Sequence, residues 1–212
     1  MKTIDLSQVI KTGMQVFPGD PEVTIKEELC HESDYCHVDY IHMGSHTGTH
    51  IDAPYHFIKD GKRITDFPTD KFVGNGVVID VTQKCEDESI EIHDVRDYEI
   101  NSGDFVIFHS GFSAFFGTDK YIRHPYISGD TAMYLANKDI SIIGVDFLNV
   151  DPTHYEKWDA HPIFLSKDIL IVENLTNLNM LKKRRSYIFS FMPLNLADSD
   201  GSPIRAYATL AE

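Results

Sequence analysis

The chain has 212 residues, of which 42% are hydrophobic and 25% are charged, which is the composition of a soluble globular protein. Nineteen basic against thirty-three acidic residues give a formal charge of −14, and this charge disfavours nucleic acid as a partner. No apolar run reaches the roughly 20 residues of a membrane span, and the first residues lack the apolar core of a signal peptide. We therefore expect a cytoplasmic protein with no membrane partner.

Neither an internal repeat nor a linker rich in Pro, Gly or Ser divides the sequence, which predicts one domain over residues 1–212. The three cysteines, Cys30, Cys36 and Cys85, are odd in number and form no CxxC pair, so we expect reduced thiols. The one basic run, Lys182–Arg185, is interpreted as a solvated turn.

The N-terminal part contains two predicted strands and a rigid turn. Thr3–Leu6 and Val38–Met43 are the strand candidates, and the second leads into the most polar part of the sequence. Between them, two prolines flank Gly-Asp in Val16–Pro21, which predicts a turn with little conformational freedom. Phe17 in this turn is either a core anchor or an aromatic wall for a ligand.

The segment Ser45–His56 concentrates the candidate chemistry of the chain. In an extended conformation His46, His50, Asp52 and His56 lie on one face, since side chains of a strand alternate with a period of two. Imidazole and carboxylate are ligands that Zn²⁺ or Mn²⁺ accepts. A straight strand would separate the first two histidines by roughly 13 Å, so the chain must bend, and Gly48 has the freedom to allow it. The alternative is a histidine-rich surface loop.

The letters of this segment, HTGTHIDAPYH, resemble the HxGTHxDxPxH signature of the metal-dependent cyclase/hydrolase family that includes bacterial kynurenine formamidase and isatin hydrolase. The resemblance implies a swivelling β/β/α fold with a mixed, partly barrel-like sheet and flanking helices. It also implies two divalent ions per subunit, Zn²⁺ or Mn²⁺, and a homodimer or homotetramer. The residues by themselves support only an α/β class.

That class follows from strands that alternate with short helices in the middle of the chain. Continuous apolar residues predict strands buried on both faces at Gly76–Val81, Asp104–His109 and Ile140–Asp146. Helices are predicted over Ser89–Tyr98, with its first residue as the N-cap, and over Ser128–Asp139.

A second group of candidate residues follows these strands. Asn149–Pro162 is predicted to be a long loop, and Ile169–Leu175 a strand that carries Glu173 after four apolar residues. A glutamate there either reaches solvent or is bound, because a buried unpaired carboxylate is costly. The resemblance implies that His161 and Glu173 hold the second ion, with Asp52 bridging to the first.

The C-terminal residues Asp200–Ala206 are similar to the family's closing DGSPxRAxA segment. Asp200 and Gly201 are predicted to form a turn, and Arg205 to lie on the last strand. We interpret Arg205 as a buried ion-pair partner rather than as a substrate clamp.

The resemblance implies that these residues belong to an enzyme that hydrolyses an amide with metal-activated hydroxide. His56 shares the ligand face and is the expected general acid/base, in agreement with the family. The resemblance places Phe17 in the substrate pocket, where kynurenine formamidases tend to carry Trp. It makes hydrolysis of N-formylkynurenine to kynurenine and formate the leading activity. Ring opening of a cyclic amide, as in isatin hydrolase, and a noncatalytic binding protein are the alternatives.

Overall fold

A curled, mixed sheet of nine strands forms a half-barrel at the centre of the protein. The computed structural model describes residues 3–154, 158–181 and 187–210. The strands in these ranges are β1 (Thr3–Asp5), β2 (Thr24–Leu29), β3 (Val38–His42), β4 (His50–Asp52), β5 (Val73–Asp80), β6 (Ser89–Ile90), β7 (Phe105–His109), β8 (Tyr126–Ile127), β9 (Ile142–Val145), β10 (Leu170–Glu173), β11 (Tyr187–Ser190), β12 (Gly201–Pro203) and β13 (Tyr207–Leu210).

Short helices connect these strands. The α-helices of the described residues are α1 (His31–Asp34), α2 (Ile92–Val95), α3 (Gly129–Ala136) and α4 (Ala160–Leu165). The 3₁₀ helices are Pro54–His56, Ile64–Asp66, Thr69–Phe72, Phe112–Phe115, Asp119–Arg123 and Leu178–Met180.

The strand order of the large sheet is β1-β13-β11-β5-β7-β9-β10-β4-β12. The four central strands β5, β7, β9 and β10 are parallel, and the pairs on both sides of them are antiparallel. This confirms the α/β class with a mixed, partly barrel-like sheet and flanking helices.

The central strands are buried on both faces, as their apolar runs predict. Val106 and Phe108 of β7 point into a core shared with α3 and α4, while Phe105 and Ile107 join a second core on the opposite face. All four side chains are at most 1% exposed. Burying one such side chain stabilises the fold by about 1.5–3 kcal/mol, so the two cores hold the sheet rigid beneath the polar residues at its edge.

Strand β5 departs from the prediction of complete burial. Within the predicted run Gly76–Val81, Val77 and Val78 are only partly buried, whereas Ile79 is fully buried. The first half of the strand carries Gly74 and Gly76 where a Cβ would come within 2.9 Å of the Phe105 ring and 2.7 Å of the Phe189 ring, respectively. The glycines therefore make room for aromatic rings of neighbouring strands instead of contributing side chains of their own.

The helix predicted over Ser89–Tyr98 is wrong at both ends, because α2 spans only Ile92–Val95. Ser89 belongs to β6, which pairs with β8, and its hydroxyl donates to the Glu91 carboxylate at 2.6 Å. Glu91 is the N-cap of α2, and its backbone N–H donates to Asp94 at 2.8 Å. By contrast, the predicted helix at Ser128 is confirmed, since the Ser128 hydroxyl accepts from the backbone N–H at the third helical residue.

Strands β2 and β3 form a separate antiparallel hairpin, which confirms the strand predicted at Val38–Met43. Every residue of β3 is exposed, and Tyr35 in the connection is 98% exposed. None of the described helices is long and apolar enough to cross a membrane. The basic run Lys182–Arg185 lies outside the described residues.

The prediction for Arg205 needs correction. Arg205 pairs with Asp5 at 2.6 Å, but its side chain is 78% exposed and it lies in the connection between β12 and β13. A salt bridge this exposed contributes little to stability, because solvent screens both charges. Arg205 is an ion-pair partner at the surface, not in the core.

Candidate functional site

The segment Ser45–His56 is bent twice, and only its middle is a strand. His50 and Asp52 share one face of β4, as the period of two predicts. Gly48 has a φ of +61°, and this left-handed turn brings His46 back beside the strand, as expected from the glycine. Residues 54–56 form a 3₁₀ helix, so the period of two does not extend to His56.

Three further elements complete the cluster around β4. The antiparallel partner β10 places Glu173 opposite His50, and β12 on the other side places Gly201 opposite Asp52. His161 comes from α4, although the sequence predicted a loop there. The helix begins at Ala160 because the Asp151 carboxylate accepts from the backbone N–H groups of its first residues.

Asp52 lies at the centre of the cluster and is completely buried. Its Oδ1 is 2.7 Å from His46 Nδ1 and 3.3 Å from His50 Nε2. Its Oδ2 faces His161 Nε2 at 3.7 Å and has no hydrogen-bond partner among the described residues. Glu173 lies between two histidines, with 3.5 Å from Oε2 to His50 Nε2 and 3.6 Å from Oε1 to His161 Nε2.

In each histidine of the cluster, the ring nitrogen that points away from Asp52 makes a hydrogen bond to a residue outside the cluster. His50 Nδ1 donates to the Gly48 carbonyl at 2.8 Å. His161 Nδ1 donates to the Asp151 carboxylate at 2.7 Å. His46 Nε2 faces Asp200 at 3.0 Å. Each imidazole therefore turns one nitrogen inwards with its orientation fixed, the arrangement found around metal-ligating histidines.

The donors group into sets that could hold an ion. His46, His50 and Asp52 form one set, and Asp52, His161 and Glu173 form another, with all ligand atoms of a set within 4.8 Å of one another. A third set, His46, His56 and Asp200, is less buried and does not contain Asp52. The buried Asp52 Oδ2 without a hydrogen bond costs free energy unless a cation or water satisfies it. Nitrogen and carboxylate donors facing one centre fit a divalent ion such as Zn²⁺ or Mn²⁺.

The electrostatics of the ion-free cluster reflect these contacts. Burial lowers the pKa of His46, but the Asp52 charge and the hydrogen bonds to Asp200 and Asp52 outweigh it and raise the pKa to about 9. Burial likewise opposes a rise in the pKa of His161, which its bonds to Asp151 and Asp52 lift to about 10. Although burial raises the pKa of Asp52, the nearby histidines hold it well below its usual range. The ion-free cluster is thus a set of mutually compensating charges.

The ion-free protein is expected to lose stability as the pH rises from about 6.5 to 10. The pKa values of His46 and His161 exceed the unfolded value of 6.5, so their stabilisation is complete below pH 6.5 and disappears as the pH passes through about 9 and 10. Urea unfolding in EDTA at pH 6, 8 and 10 measures this. A His93→Ala variant, which lacks an exposed histidine outside the cluster, should show the same trend. A free energy of unfolding that is level or rises over this range would contradict the assignment.

Phe17 lies on the wall of a cavity of about 320 Å³ that contains the cluster. The same cavity is lined by His56 and by Trp158, whose ring meets the edge of Phe17 at 5.6 Å between centroids. The ring of Phe57 stacks on His161 at 4.4 Å between centroids and is tilted by 38° against the ring of Trp158 at 5.5 Å. The cavity therefore has aromatic walls on one side and the polar cluster on the other.

Sequence reasoning missed two carboxylates and one aromatic residue. Asp200 was assigned only to a turn, yet its Oδ2 also lies 3.2 Å from His56 Nδ1. Asp151 and Trp158 were placed only in a long loop. In the sequence, Asp200 and Asp151 each stand directly before a glycine or a proline near the end of a predicted strand. This pattern is common in turns, and it does not show which residue the acid will contact.

Other histidines and the cysteines lie outside the cluster. His37 pairs with Glu27 and Asp39 on the exposed hairpin. His42 is exposed, and neither it nor His109 or His154 belongs to an ion-binding set among the described residues. Cys30, Cys36 and Cys85 are free thiols. Glu156, part of the predicted loop, lies outside the described residues.

Comparison with known proteins identifies the family. Residues 4–152 match the model of the Cyclase family, and the chain belongs to that family. It is 33% identical to the kynurenine formamidase of Bacillus cereus, over 97% of this chain and 98% of that protein. It is also 33% identical to the kynurenine formamidase of Bacillus anthracis, over 97% of this chain and 96% of that protein.

Solved structures share the whole fold. A potential metal-dependent hydrolase with cyclase activity superposes with a TM-score of 0.82 at 29% identity, over 98% of this chain and 96% of that chain. Isatin hydrolase A from Labrenzia aggregata, bound to benzyl benzoate, superposes with a TM-score of 0.89 over 98% of this chain and 93% of that chain. At 22% identity, the second likeness shows the fold alone.

Proposed function

We propose that this protein is a metal-dependent hydrolase of small aromatic amides, with N-formylkynurenine as the leading substrate. One observation carries the proposal: the buried Asp52 offers one oxygen to the set with His46 and His50 and the other to the set with His161 and Glu173. A carboxylate in this position can bridge two divalent ions, which would be Zn²⁺ or alternatively Mn²⁺. The similarity to kynurenine formamidases over nearly the whole chain supports the choice of substrate.

The five ligands would be His46, His50, Asp52, His161 and Glu173. When bound, the divalent ions supply hydroxide at neutral pH and polarise the carbonyl of the amide. The protein keeps the ligands in place through contacts of its own, including the backbone N–H of Val150, which donates to Glu173 Oε1 at 2.9 Å. Such outer contacts orient ligands before any ion arrives.

His56 would act as the general acid/base. Its ring lies 3.9 Å from the ring of His46, and it is the histidine at the cavity wall that belongs to neither set containing Asp52. Because its Nδ1 faces Asp200, its Nε2 is left to exchange a proton with the substrate. When the carbon–nitrogen bond of the amide breaks, this nitrogen can deliver the proton that the leaving amine requires.

Phe17 and Trp158 would bind the aromatic ring of the substrate. We expect Phe17→Ala to raise KM about 10-fold with little change in kcat, because the lost aromatic contact is worth about 0.5–1.5 kcal/mol beyond its buried area. Phe17→Trp serves as the matched variant and should keep a low KM, since it retains an aromatic wall. Steady-state kinetics on N-formylkynurenine measure both. An unchanged KM in Phe17→Ala would remove this residue from the pocket.

A metal and substrate panel tests the proposed function. The protein should contain two equivalents of Zn²⁺ or Mn²⁺ per chain, and EDTA should abolish hydrolysis that either ion then restores. We expect turnover of N-formylkynurenine to exceed that of isatin and of simple aryl amides. Faster opening of isatin would instead favour the cyclic-amide alternative, and failure to hydrolyse any amide with the ions loaded would favour a binding protein.

The remaining features of the proposal concern the whole molecule. We propose one domain over residues 1–212, a cytoplasmic location and a homodimer or homotetramer. The exposed apolar side chains of the hairpin, Tyr35, Val38 and Ile41, support assembly, since monomers rarely expose such groups together. Sedimentation equilibrium tests the assembly state.

A further inference from the structure

Asp200 accepts hydrogen bonds from three side chains of the segment Ser45–His56. Its Oδ2 lies 3.0 Å from His46 Nε2 and 3.2 Å from His56 Nδ1, and its Oδ1 accepts from the Ser45 hydroxyl at 2.8 Å. The carboxylate reaches across from the start of β12, about 150 residues further along the chain. One side chain thus contacts both a proposed ligand and the proposed acid/base.

These contacts determine where the protons on both rings are. An ionised carboxylate can only accept, so His46 Nε2 and His56 Nδ1 must each carry a proton. In the absence of an ion, His46 Nδ1 also carries a proton, which Asp52 accepts at 2.7 Å, and this is the proton that a bound ion would displace, while His56 keeps Nε2 for the substrate. The three hydrogen-bond donors around Asp200 stabilise the ionised form of its carboxylate.

The backbone beside Asp200 is shaped around the same histidine. A Cβ at Gly201 would come within 2.8 Å of His46 Cε1 and within 3.0 Å of the Ile51 carbonyl. The His46 ring can lie against β12 only because residue 201 has no side chain. Asp200 therefore accepts a hydrogen bond from this imidazole, and Gly201 leaves the space that its ring occupies.

The turn itself does not depend on the Asp200 side chain. The backbone carbonyl of Asp200 accepts from the Ala53 N–H at 2.8 Å, and the neighbouring Ser199 carbonyl accepts from the Ile64 N–H at 3.1 Å. These main-chain bonds and the pairing of β12 with β4 hold the segment in place. The side-chain carboxylate is therefore available to accept from Ser45 and the two histidines.

We propose that Asp200 is a positioning residue that holds His46 and His56 in the tautomers that ion binding and proton transfer require, so that one carboxylate couples the two. The inference rests on the proposed function for the role of His56, while its effect on His46 concerns ion binding alone. Carboxylates that orient metal-ligating histidines typically contribute a factor of about 10–100 to metal affinity.

Two variants of Asp200 separate its geometry from its charge. Asp200→Ala removes the acceptor, and we expect zinc affinity to fall about 10–100-fold. We expect kcat to stay reduced at saturating zinc while KM is unchanged, because the His56 ring loses its orientation. Asp200→Asn should recover most of both, since a carbonyl oxygen at the Oδ2 position can still accept from both rings.

The matched control is Asp198→Asn. Asp198 lies two residues earlier, its side chain is 86% exposed, and it pairs only loosely with Arg63 at 3.5 Å. Its φ of +58° is one that asparagine tolerates well. Zinc affinity and kcat of this variant should match those of the unaltered protein.

Zinc affinity is measured by titrating the metal-free protein against a chromophoric chelator, and the histidine tautomers by long-range ¹H–¹⁵N correlation spectra. Neither readout uses a substrate, so failure of the proposed amide activity would leave the His46 half of the inference testable. Loss of the Nδ1-protonated form of His56 in Asp200→Ala, together with weaker zinc binding, supports the inference. Unaltered zinc affinity with both tautomers preserved in that variant overturns it.

Discussion

Asp52→Asn is expected to lower kcat/KM by at least about 10³-fold, equivalent to about 4 kcal/mol of transition-state stabilisation. The substitution keeps the shape of the side chain but removes the charge that both sets of donors share. It affects His46, His50 and His161 together, because each has an inward nitrogen within 3.7 Å of this carboxylate.

Metal content and activity must therefore fall in parallel for Asp52→Asn. Elemental analysis of the purified variant should show less than one equivalent of zinc per chain, and added zinc should not restore hydrolysis. Asp60→Asn, which changes the same group at an exposed turn, is the control and should behave as the unaltered protein. A variant that keeps two equivalents of zinc would show that Asp52 does not bridge the ions.

His56→Ala is expected to lower kcat by about 10²–10⁴-fold while the ions remain bound. General acid/base groups contribute factors of this size, and His56 belongs to neither set that contains Asp52. The loss should be greatest for substrates with poor leaving groups, because these depend most on proton delivery to the departing nitrogen. Steady-state kinetics with zinc analysis on the same sample measure both effects.

His93→Ala provides the control for this substitution, since His93 is exposed on α2 and far from the proposed ligands in sequence. Partial recovery of His56→Ala by added imidazole would identify proton transfer as the missing step. Full turnover by His56→Ala with both ions in place would assign the acid/base role elsewhere.

Substitutions of Asp52 and His56 are expected to change zinc affinity and kcat in different ways. Removing Asp52 affects ion binding and catalysis together, whereas removing His56 affects catalysis alone. Asp200 lies between them, because its carboxylate touches both His46 and His56. Comparing zinc affinity with kcat across the three positions therefore separates ion binding, proton transfer and the contact that links them.

The α/β class, the buried central strands and the bend at Gly48 could be predicted from the sequence alone. These follow from local properties: apolar runs favour buried strands, and glycine adopts a φ of +61° at little cost. The candidate residues of Ser45–His56 were identified from their chemistry, and His161 and Glu173 from a resemblance to a known family.

How these residues come together could not be predicted without the tertiary structure. The convergence of His50, Asp52 and Glu173 depends on the register between β4 and β10, and no local pattern encodes the register of strands about 120 residues apart. For the same reason Asp200 could be assigned only to a turn. Its partners are in the strand next to it in space, and the physical cause of its importance is a pair of hydrogen bonds that exist only once β12 has paired with β4.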